Sequence, residues 1–148
     1  MKLTKIFIVF CILAISAAAI EKEPDLWGLF AKTRFTEKLN RQLSMYFLYP
    51  SFPAELMEME GKEITLSGFY IPLDMNDDRT VILSKFPMAQ CFFCGGAGSE
   101  SVAVAYLKDR HPKKIKTDQI IKVRGRLSLN DKDVDELTFI IKDAKIIP

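Results

Sequence analysis

The chain has 148 residues, is 49% apolar and carries a formal net charge of +2 at neutral pH. Two of its lysines, Lys2 and Lys5, lie in a leader-like segment. The remainder is close to neutral, which argues against a protein built to neutralise many phosphates and excludes nucleic acid from the expected partners. A chain of this length suits one domain with its own core, so disulfides are not required for folding.

The first twenty residues read as an address. Lys2 and Lys5 form a positive start, Ile6 to Ile15 is an unbroken apolar run, and Ser16 to Ala19 are small residues. These are the features of an export signal cleaved near Ala19. Residues 1–19 are therefore expected to be a signal peptide and the protein to be exported, periplasmic or secreted, with an uncleaved membrane anchor as the alternative. Cys11 follows Val9 and Phe10, which are not the small residues of a lipoprotein signal. Once the leader is removed, Cys91 and Cys94 remain, and an oxidising compartment joins such a pair unless a metal or a reducing partner protects it.

Residues 20–60 are expected to be a helical or irregular segment packed on the main domain. Asp25 stands where an N-cap would, ahead of the apolar cluster Leu26, Trp27, Leu29 and Phe30, which predicts one or two helical turns. From Thr33 to Phe47 the pattern is ambiguous. Leu39 and Leu43 fit a helix, whereas Phe35, Glu37 and Leu39 fit an alternating strand. Ser51, Pro53 and Glu55 predict a second helix start, carried by Leu56, Met57 and Met59 and stopped by Gly61. Met57 and Met59, with Met45 and Met75, read as apolar fillers rather than copper-binding thioethers, since residues two apart do not share a helical face.

Residues 61–148 are expected to form the barrel. Glu63 to Leu73 is the best strand, with Ile64, Leu66 and Tyr70 on one side and Phe69 and Ile71 on the other after Gly68; this predicts a bend that lets one strand serve two parts of a closed sheet. Asp74 to Arg79 turns, and Thr80 to Ser84 returns as a hairpin partner. Ser99 to Lys108 is predicted as a short inserted helix with Val102, Ala103, Tyr106 and Leu107 on its apolar face. A basic connector from Arg110 to Lys116 follows. Ile120 to Leu129 alternates, with Ile121, Val123, Gly125, Leu127 and Leu129 inward and Lys122, Arg124, Arg126 and Ser128 outward. Asn130 to Asp135 turns, and Leu137 to Ile147 closes the sheet. The sum is a mainly β fold with short helices: a small, partly open barrel of the oligonucleotide/oligosaccharide-binding (OB) type, the alternative being an open α+β sandwich.

The chemistry concentrates in Lys85 to Leu107, which holds the C-x-x-C of Cys91 and Cys94 and the glycines Gly95, Gly96 and Gly98. Four readings compete. A metal site gains half a tetrahedral set from Cys91 and Cys94, and His111, the only histidine, could add a third ligand for zinc or copper. A thiol exchange site would use Cys91 as nucleophile, its pKa lowered by a following helix, and Cys94 as resolver. The Phe-Phe between the cysteines and the absent βαβ crossover do not fit the thioredoxin setting. Gly95, Gly96, Gly98 and Ser99 could cradle an anion, without the lysine of a nucleotide loop. Last, the pair could be an inert disulfide or buried thiols that fix a loop over the barrel mouth. The basic stripe of Lys122, Arg124 and Arg126, near Arg110, Lys113, Lys114 and Lys116, offers a contact for anionic lipid headgroups, and hence peripheral membrane association. Charged residues on an exposed strand more often discourage edge pairing.

The runs GKEITLSGFYIPLD, LSKFPMAQCFFCGGAGSES and RGRLSLN resemble a family of exported bacterial proteins of unknown function, of the kind found in Bacteroidetes. The likeness covers Trp27 to Ile147 and is most specific at Cys91, Cys94, Gly95, Gly96 and Gly98. More remotely the chain is similar to a domain-of-unknown-function family of small periplasmic proteins and lipoproteins with a G-x-x-x-P strand end and a cysteine-containing loop. Ser99 stands where a proline is usual. The resemblance implies fold and compartment, and lends some weight to metal handling through the gene neighbourhoods of the wider group. The expected function is an exported binding or accessory module, more a binder than an enzyme. Its cysteine loop would take a soft metal ion or serve an envelope protein partner; the alternatives are thiol–disulfide exchange and a structural envelope role.

Overall fold

A computed structural model describes residues 24–73, 78–111 and 115–148. The proposed leader, Met75, Lys113 and Lys114 lie outside the described residues. A short helix α1 (Leu26–Phe30) leads into a hairpin of β1 (Arg34–Asn40) and β2 (Met45–Ser51), and then into a one-turn helix α2 (Ala54–Met57). Five strands follow: β3 (Glu63–Ile71), β4 (Thr80–Ser84), β5 (Val102–Leu107), β6 (Ile120–Leu129) and β7 (Phe139–Ile147).

The five strands close into a barrel in the order β3-β4-β5-β7-β6, with β6 returning to β3. All neighbours are antiparallel except β5 and β7, which run parallel. This is an OB-like barrel, and it is closed rather than partly open: β3 pairs with β6 from Glu63↔Arg126 to Phe69↔Ile120, so closure leaves no free edge in the barrel itself.

At Gly68, as expected, one strand serves two parts of the sheet: β3 pairs with β6 up to Phe69 and with β4 from Phe69 on. Ile64 and Leu66 of β3 point into the barrel core, while Ile71, with Phe69 packed beside it, joins a second apolar cluster on the outer surface. Between them Gly68 lets backbone approach backbone: a Cβ there would sit 2.8 Å from the Ser84 carbonyl oxygen. At Gly125 the approach is tighter, with the Lys142 carbonyl oxygen 2.7 Å from where a Cβ would be. Here the β6–β7 register shifts between Arg124 and Arg126, and Asp143 opposite takes a left-handed φ of 52°, which marks a bulge.

The predicted inserted helix is a correction. Ser99–Ser101 makes one 3-10 turn, and Val102 to Leu107 is strand β5. Ala103, Ala105 and Leu107 fill the barrel interior, whereas Val102 and Val104 belong to the outer cluster. A strand covered on both faces carries no polar alternation, so VAVAYL looks as apolar as a helix face.

The N-terminal elements stopper the barrel. Asp25 caps α1 by accepting from the Gly28 N–H at 3.1 Å. Leu26 and Phe30 of α1 and Leu56 of α2 enter the core, where the Phe30 ring stacks on Phe139 at 4.0 Å between centroids. The Trp27 indole N–H donates to the Ser67 carbonyl at 2.7 Å, tying α1 to β3. The ambiguous Thr33–Phe47 stretch resolves as the β1–β2 hairpin, a two-stranded sheet of its own. Asn40 shapes its turn by accepting from the Gln42 and Leu43 N–H groups.

Candidate functional site

The outer cluster forms one face of the barrel: Ile71 of β3, Ile82 of β4, Val102 and Val104 of β5 and Ile140 of β7, with Cys91 buried among them. The segment between β4 and β5 folds over part of this face in three 3-10 turns. Met88 and Phe92 pack down onto it beside Cys91, which explains why a loop this rich in glycine stays seated: its apolar side chains are its anchors.

Cys91 is fully buried and Cys94 is exposed, both as free thiols. The turn between them is held by the Cys94 and Gly96 N–H groups donating to the Cys91 carbonyl and by the Gly95 N–H donating to that of Phe92. Gly95 ends the turn with φ of 75°, a left-handed conformation that suits glycine. Loss of hydration around the Cys94 sulfur, then the adjacent Cys91 thiol and its charge, push the Cys94 thiol above its ordinary range. The helix expected to lower a cysteine pKa is absent, since one 3-10 turn and then strand β5 follow the pair.

Two further expectations change. The amides of Gly95 and Gly96 are spent on carbonyls of their own loop, and the Glu100 carboxylate lies against Gly98, so the GGAGS stretch does not present an anion cradle. Ser99 instead lines the groove described below. His111 is held elsewhere: its N–H donates to the Asp78 carbonyl at 2.8 Å, and its ring lies near Tyr70. It lines a separate hollow with Leu107, Arg110 and Ala144 to Ile146. Among the described residues no three His, Cys, Asp or Glu side chains gather where they could hold a metal ion, so the set Cys91, Cys94 and His111 is not brought together. On the basic stripe, Arg126 pairs with Asp143 and the Arg124 Nε–H donates to the Thr65 hydroxyl across the strands.

What the cysteine loop leaves uncovered is a groove of about 480 Å³ over the β4–β5 face. Ile82, Val104 and Tyr106 form its floor, Phe92, Phe93 and Ser99 of the cysteine loop one wall, Tyr46 to Pro50 of β2 another, and the β6–β7 loop from Asn130 to Thr138 the third. Seven aromatic side chains line it, including Phe35, Phe47 and Tyr49. The β6–β7 wall is prearranged: the Asn130 side-chain amide donates to the carbonyls of Asp133, Glu136 and Leu137, and its oxygen accepts from the Lys132 and Asp133 N–H groups. Tyr106 closes the corner by donating its hydroxyl to the Glu136 carboxylate.

Sequence reasoning missed this groove because it is assembled from stretches scattered between Phe35 and Thr138. The available signals were the alternation of Phe35, Glu37 and Leu39 and the run of carboxylates after Asn130. Fold and groove define the class: an OB-like barrel with a ligand-sized cleft on the face that OB barrels use for binding. No family model, no curated protein and no solved structure matches the chain. The resemblance to an exported family therefore rests on the quoted motifs alone.

Proposed function

We propose that this chain is a binding module that seats its ligand in the groove over β4 and β5, acting outside the cytoplasm where its leader-like segment would send it. One observation carries the reading: an aromatic-lined cleft of about 480 Å³ over the β4–β5 face, between two ordered loops and a hairpin. Clefts of a few hundred Å³ lined mainly by apolar and aromatic groups with a few polar atoms suit small-molecule or peptide ligands. The test is a titration of isotope-labelled protein with indole and with p-cresol, read as chemical-shift changes. Perturbations gathered at Phe92, Phe93, Val104 and Tyr106 support it; perturbations at the His111 hollow, or none, overturn it.

A second reading is favoured by the asymmetry of the two thiols. Cys94 is exposed and Cys91, three residues before it in the same turn, is buried, the arrangement of an entering thiol backed by a resolving one, with the roles the reverse of those expected from sequence. The Cys94 thiolate attacks a partner's disulfide, forming a mixed disulfide and releasing one partner thiol. Cys91 then gives up its proton and attacks the Cys94 sulfur, forming the Cys91–Cys94 disulfide and releasing the second thiol; the partner gains the two electrons the pair loses. A soft metal on Cys91 and Cys94 would need two more ligands from a bound molecule or a second copy. Thiol counts with zinc and copper measurements on anaerobically purified protein, and on the Cys91→Ser/Cys94→Ser variant, separate the two chemistries.

A further inference from the structure

We propose that the groove receives an extended peptide that alternates apolar and basic side chains and adds as a third strand to the β1–β2 hairpin; this rests on the groove being the binding site. The first support is an unprotected edge. Among the described residues β2 pairs only with β1, so its other edge presents unpaired backbone N–H and C=O groups over Met45 to Tyr49, ahead of Pro50, which has no N–H to offer. Five consecutive residues of β2, Tyr46 to Pro50, line the groove, whereas β1 contributes Phe35 alone. Successive strand residues point to opposite faces, so a wall made of five in a row is a strand seen along its edge.

The second support is composition. Exposed edges are normally blunted by charge, as β1 is by Arg34, Glu37 and Lys38. β2, MYFLYPS, has no charged residue, and Tyr46 is 69% and Leu48 53% exposed. An uncharged apolar edge facing a cleft is a template for pairing, and strand addition is a recurring way of holding peptides.

The third support is charge complementarity. The wall opposite β2 carries Asp131, Asp133, Asp135 and Glu136 against a single Lys132. This acidic rim repels the phosphates of the ligands that OB barrels often take and attracts cationic side chains. A strand of about seven residues matches β2 in length, with its apolar side chains toward Phe92, Phe93 and Val104 and its basic ones toward the β6–β7 loop.

The probes are three end-capped peptides of about eight residues: alternating valine and lysine, the same with glutamate for lysine, and the lysine peptide N-methylated at alternate nitrogens so that it cannot complete a ladder. Binding is measured by calorimetry and shift mapping at about 50 and 300 mM salt. The lysine peptide is expected to bind at β2 and the 130–138 loop at least about tenfold more tightly than the glutamate peptide, a margin a few rim ion pairs supply. Binding should weaken with salt and with N-methylation, and Asp133→Asn/Asp135→Asn should narrow the margin without unfolding these exposed positions. Equal affinity of the lysine and glutamate peptides, indifference to N-methylation, or edge-to-edge dimers in sedimentation that exclude the peptide would overturn it. If indole and p-cresol map to the groove while no peptide binds, the peptide proposal fails alone; if the fragments also miss the groove, the binding-module reading falls with it.

Discussion

The Tyr106 hydroxyl lies 2.6 and 2.8 Å from the two carboxylate oxygens of Glu136, so one phenol on strand β5 holds the far wall of the groove in place. The wall is otherwise organised by Asn130 from within. The donor of this contact belongs to the floor, and Leu137 of the same loop packs on the outer apolar cluster beside it.

Tyr106→Phe keeps the ring and removes that donor. The bond is to a charged but solvated acceptor, so the loss of stability should be about 1 kcal/mol. The larger effect should be local: amide exchange from Asp133 to Leu137 is expected to accelerate while that of β6 stays unchanged. Unaltered exchange in the loop would show that Asn130 suffices alone.

Phe30 and Phe139 are both fully buried and stacked face to face. Phe30→Ala should cost about 3–5 kcal/mol, the usual loss for a buried aromatic that leaves a cavity. Because α1 enters the barrel through this ring, Trp27, the single tryptophan, should become more solvent-exposed. Urea unfolding followed by Trp27 fluorescence checks both.

Gly125→Ala places a methyl 2.7 Å from the Lys142 carbonyl oxygen and 2.9 Å from the Ala144 Cα, both backbone atoms that cannot rotate away. Overpacking of this kind should cost about 1–3 kcal/mol. At Gly68 the closest atom is also a carbonyl oxygen, at 2.8 Å, but the next two are side-chain atoms, of the Trp27 ring at 3.1 Å and Leu83 Cβ at 3.4 Å. Thermal unfolding should therefore rank Gly125→Ala as the more damaging.

For the thiol pair, iodoacetamide should label Cys94 and spare Cys91 in the folded protein. With the Cys94 thiol held above its ordinary range, its thiolate is scarce at neutral pH, and the labelling rate should climb only in distinctly alkaline buffer. Cys91→Ala removes the neighbouring thiol and its charge, so the pH of half-maximal labelling should fall. The linkage has a definite sign. A folded-state pKa raised above the unfolded value contributes stability that is present below the unfolded pKa and is lost as pH rises through the folded one. Cys94 should thus make the fold less stable toward alkaline pH, which denaturation midpoints across that range would show.

Much of the barrel was legible because β3 and β6 alternate between a buried and a wetter face. Ile120 to Leu129 alternates in sequence and coincides with β6, and Asp25 caps α1 as its side chain suggests. The two failures have opposite causes. Val102–Leu107 is covered on both faces, so its period disappears, and Thr33–Phe47 pairs only with its own hairpin partner and lacks a core to impose a pattern. Neither the burial of Cys91 beneath Phe92 nor the separation of His111 from it could be read from a C-x-x-C and a lone histidine, since spacing fixes only neighbours along the chain.

Read alone, the residues fixed strands β3, β4, β6 and β7, the close approaches at Gly68 and Gly125 and the place of the two thiols, because each depends on local sterics and on residues a few positions apart. Tertiary structure decided which face of the barrel stays open, which cysteine meets solvent and which carboxylates ring the groove. Those outcomes depend on β5 lying parallel beside β7 and on the hairpin standing beside the barrel. Such contacts join residues far apart in the chain, and only closure of the sheet brings them within reach of one another.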